Sequence, residues 1–63
     1  MSNQSVNPLE YILVVDSLQK RGITNYTIAQ GNECVWVTHY RRGFAISDYY
    51  IFRDGRIVDI VTD

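Results

Sequence analysis

Residues 33–61 read ECVWVTHYRRGFAISDYYIFRDGRIVDIV, and this stretch decides the fold. Val, Ile, Tyr, Phe and Trp crowd three runs, and short glycine-bearing segments at Arg41-Arg42-Gly43 and Asp54-Gly55 separate them. Branched and aromatic residues suit a pleated surface, and Gly accepts the backbone angles of a tight hairpin, so the stretch predicts a three-stranded antiparallel meander. Each turn predicts a register. Asp54-Gly55 as a two-residue loop pairs Arg53 with Arg56, Phe52 with Ile57, Ile51 with Val58 and Tyr49 with Ile60. Arg41-Arg42-Gly43 as a three-residue loop, with Gly left-handed, pairs Tyr40 with Phe44, Thr38 with Ile46, Trp36 with Asp48 and Val35 with Tyr49.

Paired residues share a face, so these registers predict one aliphatic and one aromatic side. Val35, Val37, Ala45, Tyr49, Ile51, Val58 and Ile60 form the first. Trp36, Tyr40, Phe44, Ile46, Tyr50, Phe52 and Ile57 form the second, with Asp48, Asp59 and Val61 among them. A bulge near Ser47-Asp48 would shift part of this division by one residue.

Upstream, Asn7 and Pro8 supply a helix cap and first turn, Glu10 suits the positive end of the dipole, and Lys20-Arg21-Gly22 is a stop signal. Tyr11, Val14, Val15 and Leu18 recur at helical spacing, with Leu9, Ile12 and Leu13 widening the apolar surface. The competing reading, a strand over Tyr11 to Val15, lacks those end signals. Ile23 to Gln30 predicts a further strand with Tyr26 and Ile28 on one side, Thr27 and Ala29 on the other. Residues 1–6 are polar and expected to fray. The fold expected is α+β, one N-terminal helix on a four-stranded antiparallel sheet in the order α-β-β-β-β, with residues 1–63 as one compact domain.

Composition narrows the function. The 63-residue chain is 46% hydrophobic and 21% charged, which is globular. A core of this size rarely supplies more than about 3–5 kcal/mol unless a disulfide, metal or partner helps. Cys34 is the only cysteine and His39 the only histidine, which excludes an internal disulfide and a Cys/His zinc site. Self-association is therefore expected to matter. A net charge of −1 disfavours a duplex-DNA binder. The N-terminal segment lacks a signal-peptide pattern and no apolar run approaches a membrane span, so a cytoplasmic, reducing location is expected.

Candidate chemistry is sparse. Asp48 and Asp59, diagonal on one face, could form an acid/base pair, but the reading preferred is two solvated rim carboxylates that discourage edge pairing. His39 has neither nucleophile nor orienting acid in the sequence and is expected to be capped or solvent-facing. Cys34 reads as a small buried hydrophobe. The isolated glycines build no phosphate loop. No catalytic residue, cofactor, metal or small-molecule substrate is expected.

Phe52-Arg53-Asp54-Gly55-Arg56-Ile57-Val58 resembles the last hairpin of NTF2-like and SnoaL-like domains. That resemblance implies a strand-turn-strand and carries no activity.

One short helix covers only one sheet face. If it covers the aliphatic face, the aromatic face left open would exceed the ~300–600 Å² apolar patch usual on a soluble monomer. The alternative is that the helix packs on the aromatic face and the aliphatic one dimerises, or that sheet curvature wraps the aromatics into one core. The expected function is a non-enzymatic protein-binding module, a small regulator or inhibitor that grips a protein partner or a second copy. Trp36, Tyr40, Phe44, Tyr50, Phe52, Arg41 and Arg42 are the expected contact residues, being of the types enriched at interface hot spots. The alternative is a single-stranded nucleic-acid binder that stacks bases on Trp36, Tyr40 and Tyr50 and holds phosphates with arginines. A small acid/base enzyme is a distant third.

Overall fold

Asn7 caps the helix, its Oδ1 accepting from the backbone N–H groups of Leu9 at 3.0 Å and Glu10 at 3.4 Å. The computed structural model describes residues 7–63, so the expectation of a frayed tail at 1–6 lies outside the described residues. Helix α1 runs Pro8–Lys20. It closes with Gly22 left-handed at φ 76°, its N–H on Gln19 O at 3.0 Å, and with Ile23 N–H on Leu18 O at 2.9 Å. This pair of bonds satisfies the last carbonyls while Ile23 packs against the core that holds Leu18. The helical reading of Tyr11 to Val15 stands.

Strands β1 (Tyr26–Gln30), β2 (Cys34–Arg41), β3 (Phe44–Arg53) and β4 (Arg56–Thr62) form one open antiparallel sheet in the order β1-β2-β3-β4. The α-β-β-β-β meander is as expected. The register of its first hairpin is not. Arg41 pairs with Phe44, Trp36 with Tyr49, Val37 with Asp48 and Val35 with Tyr50, so the loop holds only Arg42 and Gly43. Both loop residues are left-handed, at φ 53° and 83°, the requirement of a two-residue type I′ turn. A loop one residue shorter slips the pairing by one, and a slip of one turns every β2 side chain to the other face relative to β3.

The Asp54-Gly55 turn keeps its expected pairs, Arg53 with Arg56 and Phe52 with Ile57. A bulge between Ile51 and Phe52, rather than near Ser47-Asp48, then moves Ile51 opposite Asp59 and Tyr50 opposite Ile60.

These shifts recompose both faces. Val14 and Leu18 of α1 close on Val35, Val37 and Tyr50, all fully buried, with Ile23, Tyr26, Ile28, Phe52 and Ile57 packed around them. The covered face thus mixes residues from both predicted sides, and Tyr50 is its largest buried side chain. Among the described residues, no helix is long and apolar enough to cross a membrane.

Candidate interaction surface

The uncovered face carries Thr27 and Ala29 from β1, Cys34, Trp36, Thr38 and Tyr40 from β2, Ala45, Ser47, Tyr49 and Ile51 from β3, and Asp59 and Val61 from β4. At its centre Trp36 stands directly opposite Tyr49, and their rings stack with centroids 5.5 Å apart and planes 22° from parallel. Opposed residues on one face bring their Cβ atoms within about 5 Å, which forces two large rings into contact. Trp36 remains 43% exposed, and on the same face Val61, the partner of Tyr49, and Tyr40, beyond Thr38 on β2, are exposed as well.

The predicted contact residues separate. Trp36 and Tyr40 lie on this face, and Arg42 lies in the turn at its end. Arg41 and Phe44 form the last pair of the β2–β3 ladder on the other side of the sheet, where Phe44 is 74% exposed. Tyr50 and Phe52 are corrections: both face the helix, Tyr50 is fully buried, and neither shares a surface with Trp36. Tyr49 and Val61 take their place. A two-residue reading of the Arg42-Gly43 turn would have found Tyr49 from sequence.

A second constellation lies under the helix. Asp48 is fully buried, and His39, from the register pair next to Val37–Asp48 on the same face, is nearly so. Asp48 Oδ2 accepts from His39 Nε2 at 2.9 Å and from Arg21 Nη1 at 3.0 Å, and Oδ1 accepts from Thr62 Oγ1 at 2.9 Å. An ionised carboxylate only accepts, so His39 carries its proton on Nε2. Arg21 also donates to Tyr50 Oη at 2.8 Å, and Tyr50 Oη meets Ser17 Oγ at 3.2 Å. Burial alone would push the Asp48 carboxyl up. The hydrogen bonds from His39, Thr62 and Arg21, together with the Arg21 charge, outweigh it and hold the carboxyl below its ordinary range.

These contacts overturn two expectations. Asp48 is not a solvated rim residue, and Asp48 and Asp59 do not share a face. Of the two alternatives for His39, capped or solvent-facing, it is the capped one, with Asp48 as the cap. The rim reading holds for Asp59, which is exposed on β4. Cys34, a free thiol read as buried, is only half-buried on the open face.

The network ties helix to sheet. Every oxygen of Asp48 has a partner, Ser17 meets Tyr50 rather than His39, and the described residues enclose no pocket beside them. Among the described residues no three His, Cys, Asp or Glu side chains converge as metal ligands.

Neither a family model, nor a curated protein, nor a solved structure matches the chain. The functional reading therefore rests on the residues alone.

Proposed function

We propose that this protein is a non-enzymatic protein-binding module that works through the open face of its sheet, as a small regulator or inhibitor that covers a partner's surface. The observation that carries the reading is the Trp36–Tyr49 stack, a large aromatic pair left half in water at the centre of a face that no described element covers. Aromatic anchors at the centre of a patch are the usual hot spots of protein interfaces, and Val61, opposite Tyr49, and Tyr40, further along β2, add exposed apolar surface on the same face. The ionisable groups that could have done chemistry are occupied in the buried network, which supports a structural role for them. A cytoplasmic location accords with the free thiol of Cys34.

Base stacking draws less support. Trp36 and Tyr49 each spend one ring face on the other, whereas a platform for single strands offers whole ring faces to bases.

The test is affinity capture from the native cell with the wild type and with Trp36→Ser/Tyr40→Ser, checked for a native far-UV spectrum. We expect a specific protein that the wild type retains and the double variant loses by more than tenfold, on the order of the ≥ 2 kcal/mol of a hot-spot residue. Equal recovery by both proteins would contradict the reading. Salt-sensitive quenching of Trp36 by an oligonucleotide would favour the nucleic-acid alternative.

A further inference from the structure

The two edges of the sheet are unequal. On β4, Asp63 N–H bonds Ser47 O at 2.8 Å, so by the alternation of an antiparallel ladder Asp59 and Val61 also face β3, while the backbone groups of Ile60 and Thr62 point outward. The outward N–H of Ile60 is not free: it donates to Asp59 Oδ1 at 2.9 Å. A charged side chain that occupies a central edge donor, next to a bulge and Arg56, closes β4 to an incoming strand.

Among the described residues no charged side chain and no bulge guards the β1 edge, and only its Gln30 end is approached, by Asn7 N–H on Gln30 Oε1 at 3.4 Å. Gly31 N–H bonds Cys34 O at 2.9 Å, which makes Ala29–Trp36 and Thr27–Thr38 the bonded pairs and leaves the N–H and C=O groups of Tyr26, Ile28 and Gln30 pointing outward. The strand, Tyr-Thr-Ile-Ala-Gln, has no charge and no proline. Helix α1 lies against β2 and β4, so Tyr26 and Ile28 stay only half-buried.

We propose that a second copy of the chain adds its own β1 to this edge, antiparallel and centred on Ile28. The register is self-complementary. With Ile28 opposite Ile28 of the second copy, Tyr26 meets Gln30 and the reverse, so every outward group of one strand faces an outward group of the other. Thr27 falls opposite Ala29, and no like charges meet. The two four-stranded sheets become one of eight strands, with both helices on one side and both open faces continuous on the other. A two-fold axis perpendicular to the sheet thus doubles the proposed working surface. The inference needs no partner protein.

Thr27 and Ala29 are exposed and touch no core residue, which makes them suitable for charge substitution. The wild type, sedimented from micromolar to millimolar concentration, is expected to show a dimer that grows with concentration. Thr27→Lys/Ala29→Lys sets lysines against lysines across the axis, and Thr27→Glu/Ala29→Glu sets carboxylates against carboxylates. Each is expected to weaken association about tenfold, since like charges directly opposite repel at two places. Mixing the two variants restores it as a heterodimer, which also proves that both are folded. A wild type that stays monomeric overturns the proposal, as do double variants that associate as well as the wild type.

Discussion

Asp48→Ala is expected to leave the protein largely unfolded at 25 °C. The substitution removes a fully buried carboxylate that accepts from His39, Arg21 and Thr62, and it strands the His39 N–H beneath the helix, while the hydroxyl of the exposed Thr62 can turn to water. Breaking a buried ion pair by deleting one partner costs about 3–5 kcal/mol, much of it from the group left uncompensated. A domain this small has about 3–5 kcal/mol in all, so the loss is comparable with the whole stability. Arg21 softens the effect, because its partly exposed side chain can swing into water. A fully apolar pair, His39→Leu/Asp48→Leu, should recover much of the loss, because it leaves no buried polar group orphaned. Urea titrations followed by Trp36 fluorescence would measure both. An Asp48→Ala midpoint equal to that of the wild type would show that the network does not hold the helix to the sheet.

The same carboxylate gives stability a direction in pH. Its folded-state pKa lies below the ordinary value of 3.8, because the bonds from His39, Thr62 and Arg21 outweigh the upward push of burial. As pH falls the unfolded chain therefore takes up the proton first. The stabilisation from Asp48 is complete above about pH 5, begins to go as pH nears 3.8, and is lost as pH falls through the lower folded pKa. Asp48→Asn, which cannot titrate, should flatten the acid limb of a stability–pH curve. A limb as steep as the wild type's would assign it to other carboxylates.

Much of the architecture was legible because its signals are local. The Asn7-Pro8 cap, the Arg21-Gly22 stop and the Asp54-Gly55 turn each concern a few adjacent residues, and each formed as its chemistry implies. The side of the sheet on which each residue falls was less legible. It depends on loop length at Arg41-Arg42-Gly43, where the left-handed Arg42, φ 53°, occupies a position usually held by Asn, Asp or Gly. One residue of ambiguity there exchanged the partner of Trp36 from Asp48 to Tyr49 and brought Asp48 and Tyr50 opposite Val37 and Val35 under the helix. The buried polar network was invisible for the same reason. Asp48, His39, Arg21 and Thr62 lie on four different elements or caps, and only the correct register brings them together. That one face stays uncovered by the helix did not depend on the slip, because it follows from counting covers and faces, but its composition did: Thr27, Thr38, Ser47 and Asp59 stand among its apolar residues.

The helix supplies the second large effect, and it tests which apolar residues of a wide stripe hold the fold. Leu18 is fully buried between α1 and the sheet, in contact with the cluster of Val14, Val35, Val37 and Tyr50, and its carbonyl accepts the closing bond from Ile23. Leu18→Ala should cost about 2–5 kcal/mol, the lost transfer energy plus the cavity that a stiff sheet cannot fill. Each kcal/mol lowers Tm by about 4–8 °C in a domain of this size, so the variant should melt near or below room temperature unless the native state is unusually stable. Leu9→Ala is the matched control. Leu9 lies on the same helix but is 72% exposed, and its loss should move stability by no more than about 0.5 kcal/mol. Sequence spacing puts both leucines in one broad apolar band. The inner edge of that band is set by which side of α1 meets β2 and β4, and the outer edge stays in water. Thermal melts of the two variants side by side decide between them. Equal effects would mean that the helix packs through a different face, and the assignment of Trp36 and Tyr49 to the open side would fall with it.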